Sequence, residues 1–305
     1  MIARLSPAMI SDLSVQRKGE LYVLASCIIW AIFPAMTVFL IATVPPIALA
    51  GLTMLSSCVL FAIILTVRNG WSSVWKGTAL KYILAGTVIN GIGYHGLVFF
   101  AMSHTTAGNA TIILQMEVFF AFIILSLLMK HEKFQLNHFL GAVLMVLGAF
   151  IILGKQTSGT LQSGDLIIVL ATALAPFGNY FQQRARKEVS AQHILMIRSL
   201  LAGSFLLVLS RLLGESFSVE DAWGVAPMIF LNGFLVMGIA KIFWIEGFIR
   251  IPITKANSIA AIVPFFGLIF AYLILGEVPT QWQLLSIVPI VAGVLLLMRK
   301  DRKTE

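Results

Sequence analysis

The apolar stretch "FFAMSHTTAGNATIILQMEVFFAFIILSLLMKHEK" (99–133) contains Asn109, Gln115 and Glu117, polar side chains in surroundings that offer them little to pair with. Glu117 stands near the middle of the apolar run 106–129, and at about 1.5 Å rise per residue that is the middle of a bilayer-crossing helix. An ionisable group at that depth costs about 2.5–3.5 kcal/mol on insertion scales, so it is turned to a bundle interior or a wet cavity. There a carboxyl either exchanges a proton or meets a cation, and Glu117 reads as a proton-coupling group or as the partner of a substrate amine. The competing reading is a carboxyl that only holds helices together. His95 in "GIGYHGLVFF" suits a proton relay or a substrate donor, because imidazole titrates near neutral pH. Lys241 is placed to reach Glu117 across a bundle, while Lys255 and Asn257, which follow Pro252, suit an anionic substrate entering from that side. Trp30, Tyr94 and Asn109 complete the candidate set for substrate binding or coupling. Arg198 in "HILMIRSLL" lies close enough to the end of its apolar run to snorkel to the interface.

The elements that must position these side chains are set by composition. With 59% hydrophobic and 11% charged residues and a mean hydropathy of +0.96, the chain reads as an all-α polytopic membrane protein. Apolar runs of spanning length fall near 21–43, 46–67, 81–103, 106–129, 136–154, 165–184, 192–213, 224–249, 252–275 and 281–298, which predicts ten transmembrane helices. Basic residues cluster in alternate connections, and only Lys155 and Arg211 fall on the other side, so the N-terminus and C-terminus are both expected in the cytoplasm. On this reading 1–20 is a cytoplasmic N-terminal segment and 299–305 a basic cytoplasmic tail. The net charge of +8 therefore belongs to a membrane face and gives no reason to expect nucleic acid. Cys27 and Cys58 sit inside apolar runs and read as small hydrophobes, with no metal or other cofactor implied. Pro34, Pro176, Pro264 and Pro289 lie inside spans and predict kinks.

An offset of 146 residues lays the second half of the chain on the first. It places "MEVFF" (116–120) on "IVPFF" (262–266), His95 on Lys241, and Asn109 on Lys255. Past the next loop the offset becomes 145, pairing Glu132 with Glu277 and Gly148 with Gly293. The halves are 21–154 and 165–298, each with five spans. An odd number per half means the second copy enters the membrane from the opposite face, giving two inverted five-helix repeats about an axis in the membrane plane. Gly86, Gly91, Gly93 and Gly96 in the third span are assigned to close helix packing.

The segments "SCIIWAIF" (26–33), "FFAMSHTTAGNATIILQMEVFFAFIILSLLMKHE" (99–132) and "PITKANSIAAIVPFFGLIFAYLILGE" (252–277) resemble the repeat of the drug/metabolite transporter superfamily, specifically its EamA-like ten-helix members, over almost the whole chain. The chain departs from that pattern with Val118 where the family has proline, "KHE" in place of "LGE", and Pro176 where a second tryptophan would match Trp30. The resemblance implies an inner (plasma) membrane secondary transporter, most often an exporter of amino acids or other small metabolites.

The expected function is gradient-driven export of a small metabolite, an amino acid or related compound, by alternating access. No "GxxxxGK[ST]" loop is present to drive it with ATP, and no constellation of an enzyme appears in the spans. One alternative is an exchanger or facilitator for anionic metabolites using Lys241 and Lys255; another is a non-transporting membrane scaffold. Expected partners are a small-molecule substrate, membrane lipid, and protons or an exchanged solute, with a homodimer left open.

Overall fold

A computed structural model describes residues 7–68, 70–71, 77–124, 136–154, 162–251 and 253–297; for 7–14, 78, 136, 138, 154, 248, 253, 254, 257 and 297 it describes the backbone alone. The loop carrying Lys130, Glu132 and Lys133, Lys155, Pro252 and the basic tail 299–305 lie outside the described residues. Every regular element among the described residues is helical. In chain order they are α1 (Pro7–Ala31), α2 (Phe33–Ile41), α3 (Pro46–Val67), α4 (Gly77–Gly86), a π-helical stretch (Thr87–Tyr94), α5 (His95–Met102), α6 (Ala107–Ile113), α7 (Met116–Ile123), α8 (Leu136–Gly154), α9 (Ser163–Ala185) and α10 (Ala191–Leu212). There follow α11 (Val219–Leu231), a second π-helical stretch (Asn232–Ala240), α12 (Lys241–Phe248), α13 (Ile253–Ala260), α14 (Val263–Leu275) and α15 (Gln281–Leu297). Among the described residues seven stretches are long and apolar enough to cross a membrane, from Val15–Ile41 to Ser258–Leu275, and Ala107–Ile123, Phe139–Leu153 and Gln281–Leu296 are shorter apolar helices. The chain is a multi-pass membrane protein.

Helix starts are fixed by local chemistry and by carboxylates from distant segments. Pro46 opens α3 with its φ already helical, and Glu215 accepts from the free backbone N–H groups of Ile47 (3.2 Å) and Ala48 (2.9 Å). At α6, Thr106 caps the N–H of Asn109 at 3.1 Å, and Glu277 accepts from Ala107 (3.2 Å) and Gly108 (3.1 Å). Both carboxylates face the positive end of a helix dipole. Gly276, at φ 70, ends α14 in a left-handed conformation that glycine adopts without strain and so aims Glu277 at α6.

Two antiparallel pairs carry the most extensive helix packing among the described residues. In α3 and α10, Gly51 meets Gly203 and Leu207 while, further along, Ser57 bonds Ser199 at 2.9 Å. In α8 and α15 the fit is reciprocal: Gly148 lies against Ile290 and Ser286, and Gly293 lies against Met145 and Gly141. Backbones approach this closely only where side chains are small, the usual device of helix pairs in lipid. A Cβ on Gly293 would stand 2.6 Å from the Gly141 carbonyl oxygen. Gly293→Val is therefore expected to destabilise the protein by about 1–3 kcal/mol, read as a lower unfolding temperature in detergent. An unchanged temperature would mean that the two helices separate at little cost.

Candidate functional site

Three segments break where continuous helices would bury every backbone group. α1 gives way to α2 at Ile32, with Pro34 in the first turn beyond; α13 gives way to α14 at Ala261 and Ile262, ahead of Pro264. α6 gives way to α7 at Leu114 and Gln115 although Val118 stands where proline is found in the other half. Gln115 reaches from this break to the other, donating Nε2–H to the carbonyl oxygen of Ala260 at 2.9 Å. Thus a side chain satisfies a carbonyl next to the neighbouring break. Pro176 and Pro289, by contrast, lie inside the unbroken helices α9 and α15.

Glu117 occupies the first turn of α7, immediately past the break, where the N-terminal dipole favours a carboxylate. Asn179 on α9 donates Nδ2–H to its Oε1 at 2.9 Å, and Asn90 on the first π-helical stretch donates in turn to Asn179 Oδ1 at 3.4 Å. Gly178 makes this chain of amides possible, since any Cβ there would run into the Asn90 side chain. Lys241 does not pair directly with Glu117: its Nζ lies 3.7 Å from the centre of the Trp30 ring, a cation on an aromatic face. The two remain within each other's electrostatic reach, and Tyr94 is within that of Glu117. Trp30 is stacked on Phe33, with ring centres 4.8 Å apart, so its position is set by the break at Ile32. His95, fully buried, donates Nδ1–H to the Asn90 carbonyl oxygen at 2.5 Å and meets Tyr94 edge to face. His95 and Lys241 each follow directly on a π-helical stretch, whose wider turn is a local departure common at functional sites.

The remaining sequence candidates lie elsewhere. Asn109 donates to Asp165 Oδ2 at 3.1 Å and accepts from Gln283 at 2.8 Å, and Thr105 bonds the other oxygen of Asp165. Lys255 is ion-paired with Glu20 at the start of the first apolar run. A cleft lined by Arg17, Glu20, Leu21, Leu24 and Ile259 opens beside that pair. Glu246 accepts from Arg250 at 2.6 Å and faces Arg186 at 3.7 Å on the same side. Asn257 belongs to α13, and its side chain lies outside the described residues. Arg198 is not at an interface: it is 1% exposed. Asn90 and Asn179, which the sequence reading missed, carried one signal, an amide within an otherwise apolar run.

A carboxylate, an ammonium on an aromatic ring and a row of amides stand among broken helices inside a multi-pass bundle, an arrangement suited to a membrane transporter of small molecules. The EamA-like transporter family model matches the chain twice, over residues 17–154 and 162–299, and the protein belongs to that family. It is similar to the uncharacterized transporter YoaV of Bacillus subtilis, 24% identical over 83% of this chain and 87% of that protein. The pseudopaline exporter CntI of Pseudomonas aeruginosa is 30% identical over 46% of this chain and 47% of that protein. One solved crystal structure superposes with a TM-score of 0.68 at 17% identity, covering 92% of this chain and 96% of the other, which is a likeness of fold.

Proposed function

We propose that the protein exports a small metabolite, an amino acid or related compound, across the inner membrane by alternating access, driven by a proton gradient or by exchange. The observation that carries this reading is the Glu117–Asn179 bond facing the Trp30-bound Lys241 beside three helix breaks. An ammonium on the substrate is matched by Glu117 and a carboxylate by Lys241. Lys255, engaged by Glu20, is assigned to closing the bundle and not to the lumen.

In this reading all ten apolar segments span, both termini are cytoplasmic, and 21–154 and 165–298 are inverted repeats. Several paired features support it. The π-helical stretches begin at Thr87 and Asn232, 145 positions apart, and the breaks at Gln115 and Ala261 are 146 apart. Glu215 bonds the Ala48 N–H, and at positions 145 lower and higher the Gly70 carbonyl accepts from His193 at 2.6 Å. Asp165 bound to Asn109 has as its counterpart Glu20 bound to Lys255, at offsets of 145 and 146. These last are two equivalent fastenings at opposite ends, as alternating access needs.

Mass-spectrometric profiling of medium and cytosol tests the proposal, comparing cells that express the protein with cells carrying an empty vector. A compound enriched outside only with the protein is the expected result. Profiles identical with and without it, with the protein in the membrane, would overturn export.

A further inference from the structure

Arg198 on α10 is among the largest fully buried side chains of the molecule. It packs on the first π-helical stretch, where a Cβ on Gly91 would lie 3.2 Å from its Cγ; glycine there leaves room for the stem. Its Nε and Nη2 have no hydrogen-bond partner among the described residues. Those atoms form one edge of the guanidinium, the edge whose parallel N–H bonds fit a carboxylate or phosphate side-on. His95, one turn beyond Gly91, spends its Nδ1–H on Asn90, and its Nε2 is likewise buried without a partner among the described residues. Arg198 is within electrostatic reach of both His95 and Lys241, and Lys241 is within reach of Glu117. The group therefore sets two basic side chains, Arg198 and Lys241, against one carboxyl, and the guanidinium keeps its charge more firmly than the ammonium does. A substrate with one ammonium and one carboxylate answers Glu117 and Lys241 and leaves the guanidinium unanswered, which is costly in a membrane interior.

We propose that Arg198 is a second anion-binding residue of the transport site, and that the substrate carries one ammonium and two carboxylates. The ammonium meets Glu117, one carboxylate meets Lys241, and the other accepts two N–H bonds from the Nε–Nη2 edge of Arg198. The occupied site is then electrically neutral, so the loaded carrier changes conformation without moving an unpaired charge through hydrocarbon. In the conformation described here the edge is sealed from solvent, and a shift of the π-helical stretch at Gly91 opens it. The inference rests on the export reading for its setting, but its test needs no gradient.

The full-length protein, purified into lipid nanodiscs, is unfolded thermally with and without glutamate, glutamine, and glutarate, which separate the second carboxylate from the amine. Glutamate is expected to raise the Tm of the unmodified protein more than either of the others. Arg198→Met, which removes an unpaired buried cation, is expected to raise the ligand-free Tm by about 3 °C and to reduce the glutamate shift to that of glutamine. Arg198→Lys, which keeps the charge and loses the fork, gives the same loss of discrimination if the methionine variant does not fold. Equal shifts with glutamate and glutamine in the unmodified protein, a lower Tm for Arg198→Met, or undiminished discrimination in Arg198→Lys would overturn the proposal. Export without glutamate discrimination would sink this inference alone, whereas absent export with discrimination intact would sink only the export reading.

Discussion

Glu117→Gln leaves the bundle folded and cuts export by about tenfold or more. Glutamine fills the same volume and can still accept from Asn179, so the row of amides through Asn90 survives. What disappears is the negative charge, and with it either the proton-carrying group or the partner of a substrate ammonium. A hydrogen bond to a charged group is worth about 1.5–3 kcal/mol, against about 1 for a neutral one, and each 1.4 kcal/mol is a factor of ten. The measurement compares external enrichment of the exported compound in cells with matched membrane levels of each protein. Equal enrichment would assign Glu117 to holding α7 against α9 and nothing more. Because the substitution is nearly isosteric, a failure to accumulate in the membrane would itself contradict this account of the site.

Tying either end of the bundle shut cuts transport to about a tenth or less. Asn109 and Asp165 are hydrogen-bonded at one end, and Glu20 and Lys255 are ion-paired at the other. Cysteines at 109 and 165, or at 20 and 255, joined by a short cross-linker that a reducing agent cleaves, are expected to lower flux to about a tenth or less, with recovery on reduction. The native thiols interfere little, since Cys27 is 2% and Cys58 9% exposed. A rigid-body rocking of one repeat against the other requires each end to part in turn, so one permanent tie suffices. Undiminished flux through protein cross-linked at both ends would rule out that motion.

Much of this architecture is legible in the residues. The run read at 46–67 is the helix Pro46–Val67, because prolines at 45 and 46 and Arg68 bound an uninterrupted apolar segment. The break near Gln115 is less plain: without a proline, only the placement of a long amide within an apolar run marks it. The first π-helical stretch reads from sequence as a glycine packing site, and the second carries no sequence mark, since a change of helical pitch leaves no trace in hydropathy when apolar residues occupy nearly every face. For the same reason the direction in which Arg198 points could not be read. Its distance from the helix end suggested an interface, and its rotation about the axis, set by Gly91 opposite, turned it inward. Nor does spacing identify Trp30 as the support for Lys241, because that contact joins residues more than two hundred positions apart.

The two end fastenings share a pattern but not a chemistry. Asp165 is fully buried and held by an amide and a hydroxyl, whereas the Lys255–Glu20 pair has side chains 41% and 34% exposed. Dissolved ions screen the second over a Debye length of about 8 Å at physiological ionic strength and barely touch the first. Cell salt thus weakens the Lys255–Glu20 end selectively. In the proposed orientation that end is the cytoplasmic one, so a duplicated pair of latches has become unequal, and the weaker latch is the one on the side from which the proposed cargo would be taken.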